Sequence, residues 1–267
     1  MSAISCMTKM PYCKFSFNRH GSTFTLISYL ALMKTIGIIG GITWLSTVDY
    51  YTLINQSINA TFGGVTSAKI ILWSVEFGEV KKLTFENRWD DIAAIIANAA
   101  KKLEQAGADC ILVGANTMHK IADVVQQSIN IPLIHIAEAT SAVVTKQNII
   151  KVALLGTKYT MQLDFYKEKL AARGIETIIP SDEADMEFIN NAIYEEMGKG
   201  IFLPETKEKF INIIHTLAAQ GAQGVILGCT EIPILIKQSD SPIPVFDTTA
   251  IHVKAAVEFA VGAESRP

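Results

Sequence analysis

The sequence predicts an α/β protein made of two similar halves, each a parallel sheet flanked by helices. Short runs rich in Ile, Val and Leu alternate with longer segments of helical period, the pattern of βαβ units around a parallel sheet. The chain also repeats itself. Gly107-Ala-Asp-Cys-Ile-Leu-Val-Gly-Ala-Asn116 lines up without gaps on Gly221-Ala-Gln-Gly-Val-Ile-Leu-Gly-Cys-Thr230, and such self-similarity reports duplicated architecture. The likeness spreads outward: Lys34-Thr-Ile-Gly-Ile-Ile-Gly40 resembles Lys151-Val-Ala-Leu-Leu-Gly156, Asp49-Tyr-Tyr51 resembles Asp164-Phe-Tyr166, and Ile131-Pro-Leu-Ile134 resembles Ile243-Pro-Val-Phe246.

Taken in order, the apolar runs place strands at Thr35–Ile39, Ala68–Ser74, Cys110–Val113 and Leu133–Ile136, then at Val152–Leu155, Glu176–Ile179, Val225–Leu227 and Val245–Phe246. Segments of helical period between them predict helices over Ser46–Phe62, Asp90–Ala106, Met161–Arg173 and Glu205–Gln220. The expected organisation is a first α/β domain of residues 33–137 plus 245–267 and a second of 138–244. The two are Rossmann-like and related by a pseudo-two-fold axis, with the site between them. Residues 1–32 hold Lys9, Lys14 and Arg19 but no acid, and run into the apolar stretch Phe24–Met33. No small-x-small cleavage site follows, and ten apolar residues cannot span a bilayer. They are expected to form a disordered extension upstream of a fold that begins near Met33.

With 267 residues, 49% of them hydrophobic and 18% charged, the chain can bury a substantial core. A net charge of −3 supplies no basic field for nucleic acid. The four cysteines, Cys6, Cys13, Cys110 and Cys229, have no paired spacing and form no Cys/His cluster of zinc-site spacing, which fits a reduced, cytoplasmic compartment without a bound metal. Gly37-x-x-Gly40-Gly41 departs from G-x-G-x-x-G and has no acid at the expected distance, so a nicotinamide cofactor is not indicated.

In parallel sheets ligands sit beyond the carboxyl ends of the strands, where Gly114-Ala-Asn-Thr117 and Gly228-Cys-Thr-Glu231 both fall. Cys229 stands at such an end, before Thr230 and Glu231 at an expected helix start, where dipole and free N–H groups would favour a thiolate. The plain alternative is a core cysteine, the reading given to Cys110. Asn116, Thr117 and Thr230 supply donors suited to a carboxylate, or serve as helix caps, or both. His119 is an acid/base candidate or a structural residue. Lys199 in Met197-Gly-Lys-Gly200 is either a reader of a side-chain carboxylate or an ordinary surface lysine.

Several motifs together resemble the Asp/Glu/hydantoin racemase superfamily, and in particular bacterial amino-acid racemases acting on aspartate and glutamate. They are Gly40-Gly-Ile-Thr-Trp-Leu-Ser-Thr47 with Tyr50-Tyr51, Asn116-Thr-Met-His119, Ala153-Leu-Leu-Gly-Thr157 with Tyr159-Thr160, Gly221 to Glu231, and Pro244-Val-Phe-Asp-Thr248 with His252. The match covers nearly all of Met33–Val261. The resemblance implies proton transfer at Cα without pyridoxal phosphate, one cysteine on each face of the substrate. Cys229 matches the second cysteine, Asn116, Thr117 and Thr230 match carboxylate-holding positions, and Ser46 and Thr47 lie on a loop expected to line the pocket. It also implies a small-molecule substrate and a homodimer. The first cysteine is missing: Ala115 stands at its position, and a methyl group cannot carry a proton. Racemisation with one cysteine, one-base decarboxylation or isomerisation of a small dicarboxylate, and ligand binding without turnover are the readings this leaves.

Overall fold

The computed structural model describes residues 33–262; the expected extension, with Cys6 and Cys13, lies outside the described residues. Along the chain β1 (Ile36–Gly40) leads to α1 (Trp44–Phe62), β2 (Ile70–Ser74), α2 (Phe77–Phe85), α3 (Trp89–Gln105) and β3 (Cys110–Val113). A 3-10 turn at Thr117–Ile121, α4 (Ala122–Gln127) and α5 (Ile136–Lys146) follow. The second series runs β4 (Lys151–Gly156), α6 (Lys158–Gln162), α7 (Asp164–Ala171), β5 (Glu176–Ile178), α8 (Glu183–Asn191), α9 (Pro204–Ala219), β6 (Val225–Gly228), α10 (Ile232–Leu235), β7 (Val245–Asp247) and α11 (Thr248–Ala260).

The strands form two parallel sheets, ordered β2-β1-β3 and β5-β4-β6-β7. Continuous apolar runs suit strands covered on both faces. On one face of the first sheet, Ile39, Ile111 and Val113 pack with Ile92 and Ile96 of α3; on the other, Ile36, Ile38 and Leu112 meet Ile54 and Ile58 of α1 and Val253 of α11. The second sheet repeats the scheme, with Leu155, Val225 and Leu227 against Phe210 and Ile214 of α9, and Val152, Leu154 and Ile226 against Tyr166 and Leu170 of α7. Each such Ile or Leu, taken fully out of water, contributes about 2 kcal/mol. The internal repeat is visible in the pairing, since β1 and β4 are each the partner of the strand that carries the repeated segment, β3 or β6.

Three features differ from expectation. Val245–Asp247 was expected with the first domain, but it hydrogen-bonds β6 in the second sheet, and only α11 returns to pack against α1. Of the strand expected at Leu133–Ile136, only Leu133 pairs, through a single parallel bridge to Ile111. His135 ends it by accepting the Ala137 N–H and starting α5, whose Ile136 and Ala137 already belong to the second core. The helix expected over Met161–Arg173 breaks at Leu163, held extended at ψ 158°, between α6 and α7.

Two glycine positions fix the strand ends that carry the site. Gly41 has φ +86°, and a Cβ there would lie 2.2 Å from the Val75 carbonyl oxygen. A Cβ on Gly156 would lie 2.6 Å from the Gly228 carbonyl oxygen, so the loops after β4 and β6 approach closely only without one.

Candidate active site

A cavity lies between the carboxyl ends of the two sheets and is lined from both halves, by Thr43, Lys81, Ala115 and Thr117 on one side and Cys229 and Glu231 on the other. Its volume is about 40 Å³, room for only a few waters when one needs roughly 10–15 Å³. That is tighter than a bound amino acid needs, so substrate entry requires the lining to rearrange.

Cys229 is buried, and its Sγ–H donates to Glu231 Oε2 at 3.0 Å. Glu231 is itself buried and accepts from Thr230 Oγ1 at 2.9 Å on the same oxygen and from Thr43 Oγ1 at 2.7 Å on Oε1. The carboxylate thus gathers three donors, one of them from the opposite half, as a buried acid must. Burial, and next the Glu231 charge, push the Cys229 thiol well above its ordinary value, against the lowering effect of the Glu231 and Thr230 N–H groups. The dipole-stabilised thiolate expected at a helix start is not what forms: α10 is a single turn that begins only at Ile232, and desolvation plus the carboxylate outweigh it.

Asn116 Nδ2 donates at 3.0 Å to Thr248 Oγ1, which donates at 2.8 Å to the Leu227 carbonyl. Because that hydroxyl gives its proton to a carbonyl, it must accept from Asn116, which sets the amide orientation. Asn116 Oδ1 is left buried without a partner. Beside it, the hydroxyls of Thr117, Thr157 and Thr160 form a triangle of 2.8, 3.2 and 3.3 Å joining the two halves.

The other sequence candidates fall elsewhere. Ser46 and Thr47 are buried outside the lining. Ser46 Oγ donates to the Thr43 carbonyl at 3.1 Å, while Thr47 Oγ1 donates to the same carbonyl at 2.9 Å and accepts the Gly41 N–H at 2.8 Å. They build the loop that presents Thr43. Lys199 is exposed and pairs with Glu195 at 2.6 Å, also away from the lining. His119 is buried, donating from Nδ1 to the Ala115 carbonyl at 2.9 Å and accepting the Ile136 N–H on Nε2 at 3.2 Å. Both ring nitrogens are engaged by backbone, and burial lowers its pKa to about 4.

Sequence reasoning missed Thr43, Thr157, Tyr194 and Lys81, all in the lining. Lys81 comes from α2, a helix not foreseen. Its signals were Glu76, which caps the Gly78 and Glu79 N–H groups, and the spacing of the buried Val80, Leu83 and Thr84. The Lys81 ammonium pairs with Glu195 at 3.0 Å, and Glu195 in turn holds Lys199.

These features define an α/β protein whose two sheets share one cleft, with a buried thiol–carboxylate pair on one wall and an alanine on the other. The chain belongs to the Asp/Glu/hydantoin racemase family, whose sequence profile matches residues 39–256. It is 47% identical to the structure of a candidate Asp/Glu racemase from Yersinia pestis, with a TM-score of 0.80 over 86% of this chain and 100% of that one. It is 39% identical to an aspartate racemase homologue from Pyrococcus horikoshii OT3, with a TM-score of 0.74 over 85% and 99%. Among characterised sequences it is similar to the broad specificity amino-acid racemase RacX of Bacillus subtilis (strain 168), 27% identical over 168 residues, 63% of this chain and 72% of that one. Membership and relatives support an amino-acid racemase with a small-molecule substrate. Among the described residues no helix is long and apolar enough to cross a membrane.

Proposed function

We propose that this protein racemises an acidic amino acid, aspartate or glutamate, without pyridoxal phosphate, with Cys229 as one acid/base, and that it works as a homodimer in the cytoplasm. The observation that carries this reading is the buried Cys229 thiol held against Glu231. The Cα–H of an amino acid is a very weak acid, so its removal needs a base without competing water and donors for the charge that develops. As Cys229 sulfur takes the Cα proton, its own proton passes to Glu231, 3.0 Å away. In the reverse direction the neutral thiol, favoured by burial, is the acid. The Thr117 and Thr157 hydroxyls donate to the α-carboxylate, and the Thr230 hydroxyl turns from Glu231 to join them when substrate is bound. The partnerless Asn116 Oδ1 accepts from the α-ammonium. Lys81, a cation in the lining, exchanges Glu195 for the substrate's second carboxylate, which selects an acidic amino acid.

On the face lined by Ala115 no side chain carries a transferable proton from the cysteine position, and a water or a nearby group serves that face. The same alanine favours a second reading, one-base decarboxylation or isomerisation of a small dicarboxylate, and a third in which the site only binds. Incubation with L-aspartate and then L-glutamate in deuterated water, followed by NMR of Cα deuteration and chiral chromatography, separates them. Deuterium with D-enantiomer establishes the racemase. Deuterium with retained configuration establishes a one-base site. Absence of both refutes racemisation of these substrates.

A further inference from the structure

A second cavity, of about 290 Å³, opens on the surface where the halves meet. Phe85, Asn87, Trp89 and Lys120 line it from the first half, Lys158, Tyr159 and Gln162 from the second. Its walls are aromatic: Trp89 and Tyr159 meet edge to face across the two halves with ring centroids 5.4 Å apart. Its charges are cationic. The Lys120 ammonium stands 4.4 Å from the Trp89 ring centroid and the Lys158 ammonium 5.2 Å from that of Tyr159. Among the described residues neither has a carboxylate within ion-pair distance, unlike Lys81, Lys151, Lys169 and Lys207.

We propose that this inter-half cavity is a binding site for a small planar aromatic anion, a ring carrying one phosphate or carboxylate. Packing beside the perpendicular Trp89 and Tyr159 rings would supply the ring contact, and the two lysines, one from each half, would swing from those rings to clamp the anion. Asn87 and Gln162 would discriminate among ring substituents. The volume suits a molecule of one or two rings. The site shares a wall with the catalytic cavity, because Tyr159 Oη donates at 3.1 Å to the carbonyl of Thr84, whose side of α2 lines the latter. A ligand bridging the halves would oppose the rearrangement that the 40 Å³ cavity needs to admit an amino acid, so it would raise the apparent KM and leave kcat unchanged.

The test is isothermal titration calorimetry of the full chain with 1-naphthyl phosphate, 1-naphthoate and inorganic phosphate. Binding of either aromatic anion, weakened roughly tenfold or more in a Lys120→Gln/Lys158→Gln variant, is expected. Binding of the naphthyl phosphate alone identifies a phosphate ester as the ligand form, of the naphthoate alone a carboxylate. The site is overturned if neither binds at low millimolar concentration, if phosphate binds as tightly as the aromatic anions, or if the double variant binds like wild type. Binding that leaves the apparent KM unchanged overturns the coupling. Calorimetry needs no turnover, so its failure is distinguishable from failure of the racemase reading.

Discussion

Two buried histidines make the fold sensitive to acid in a window above the range where most carboxylates titrate. His119 accepts the Ile136 N–H on Nε2, which a protonated ring could not do, and His252 accepts Tyr50 Oη at 2.8 Å on Nδ1 while donating from Nε2 to the Ile134 carbonyl at 2.6 Å. Burial lowers their pKa values from 6.5 to about 4 and about 3. Because the folded values are depressed, the unfolded chain binds more protons between the two, and stability present above pH 6.5 is lost as pH falls towards the folded values. Each group contributes a slope that is about half of 1.4 kcal/mol per pH unit at pH 6.5 and approaches the full value below it, so the descent from pH 6.5 to 5 costs roughly 1–2 kcal/mol for each and about 3 kcal/mol for the pair. That is a large share of the roughly 5–15 kcal/mol that holds a domain together. Urea denaturation at pH 7, 6, 5.5 and 5 measures it, with His119→Asn and His252→Asn as comparisons. Each variant is less stable at pH 7, yet its pH slope should be shallower by about the share of one histidine. A wild-type stability that is flat from pH 6.5 to 5, or variants with the parental slope, would refute the reasoning.

Further outcomes concern the site. Replacing Cys229 with Ala should abolish Cα deuteration, and residual exchange near wild type in the NMR assay would remove the thiol from the mechanism. Glu231→Gln takes away the proton acceptor and the charge that raises the thiol, so the alkaline limb of Cys229 alkylation by iodoacetamide, followed by peptide mass spectrometry, should move to lower pH while deuteration falls on the order of a hundredfold. An unmoved limb would contradict the assigned pair. Lys81→Gln should raise KM for aspartate at least tenfold while kcat changes little, since one charge-assisted hydrogen bond is worth about 1.5–3 kcal/mol. Ala115→Cys should increase formation of the D-enantiomer relative to deuteration with retention. An unchanged ratio would mean that the proton on that face arrives by another route.

How much of this was legible in the sequence follows the range of the forces involved. The α/β class, the two halves and the strands β1, β3, β4 and β6 could be read because a strand buried on both faces must be a continuous apolar run, and a duplicated chain repeats that run. Cys229, Asn116 and Thr117 were legible as site candidates because strand ends in parallel sheets converge on clefts. Only the tertiary structure decided the rest. Val245–Asp247 joins the second sheet because its hydrogen bonds go to β6, a choice between two edges that its own apolar residues do not encode. Lys81 reaches the cavity on a helix of weak pattern. Ser46 and His119 leave the cavity lining because backbone groups engage their polar atoms. The protonation state of Cys229 depends on burial and on Glu231 two residues away, bridged by Thr43 from 188 positions earlier. Periodicity is a local property of the chain, whereas desolvation and charge are set by whatever the fold brings within a few ångströms.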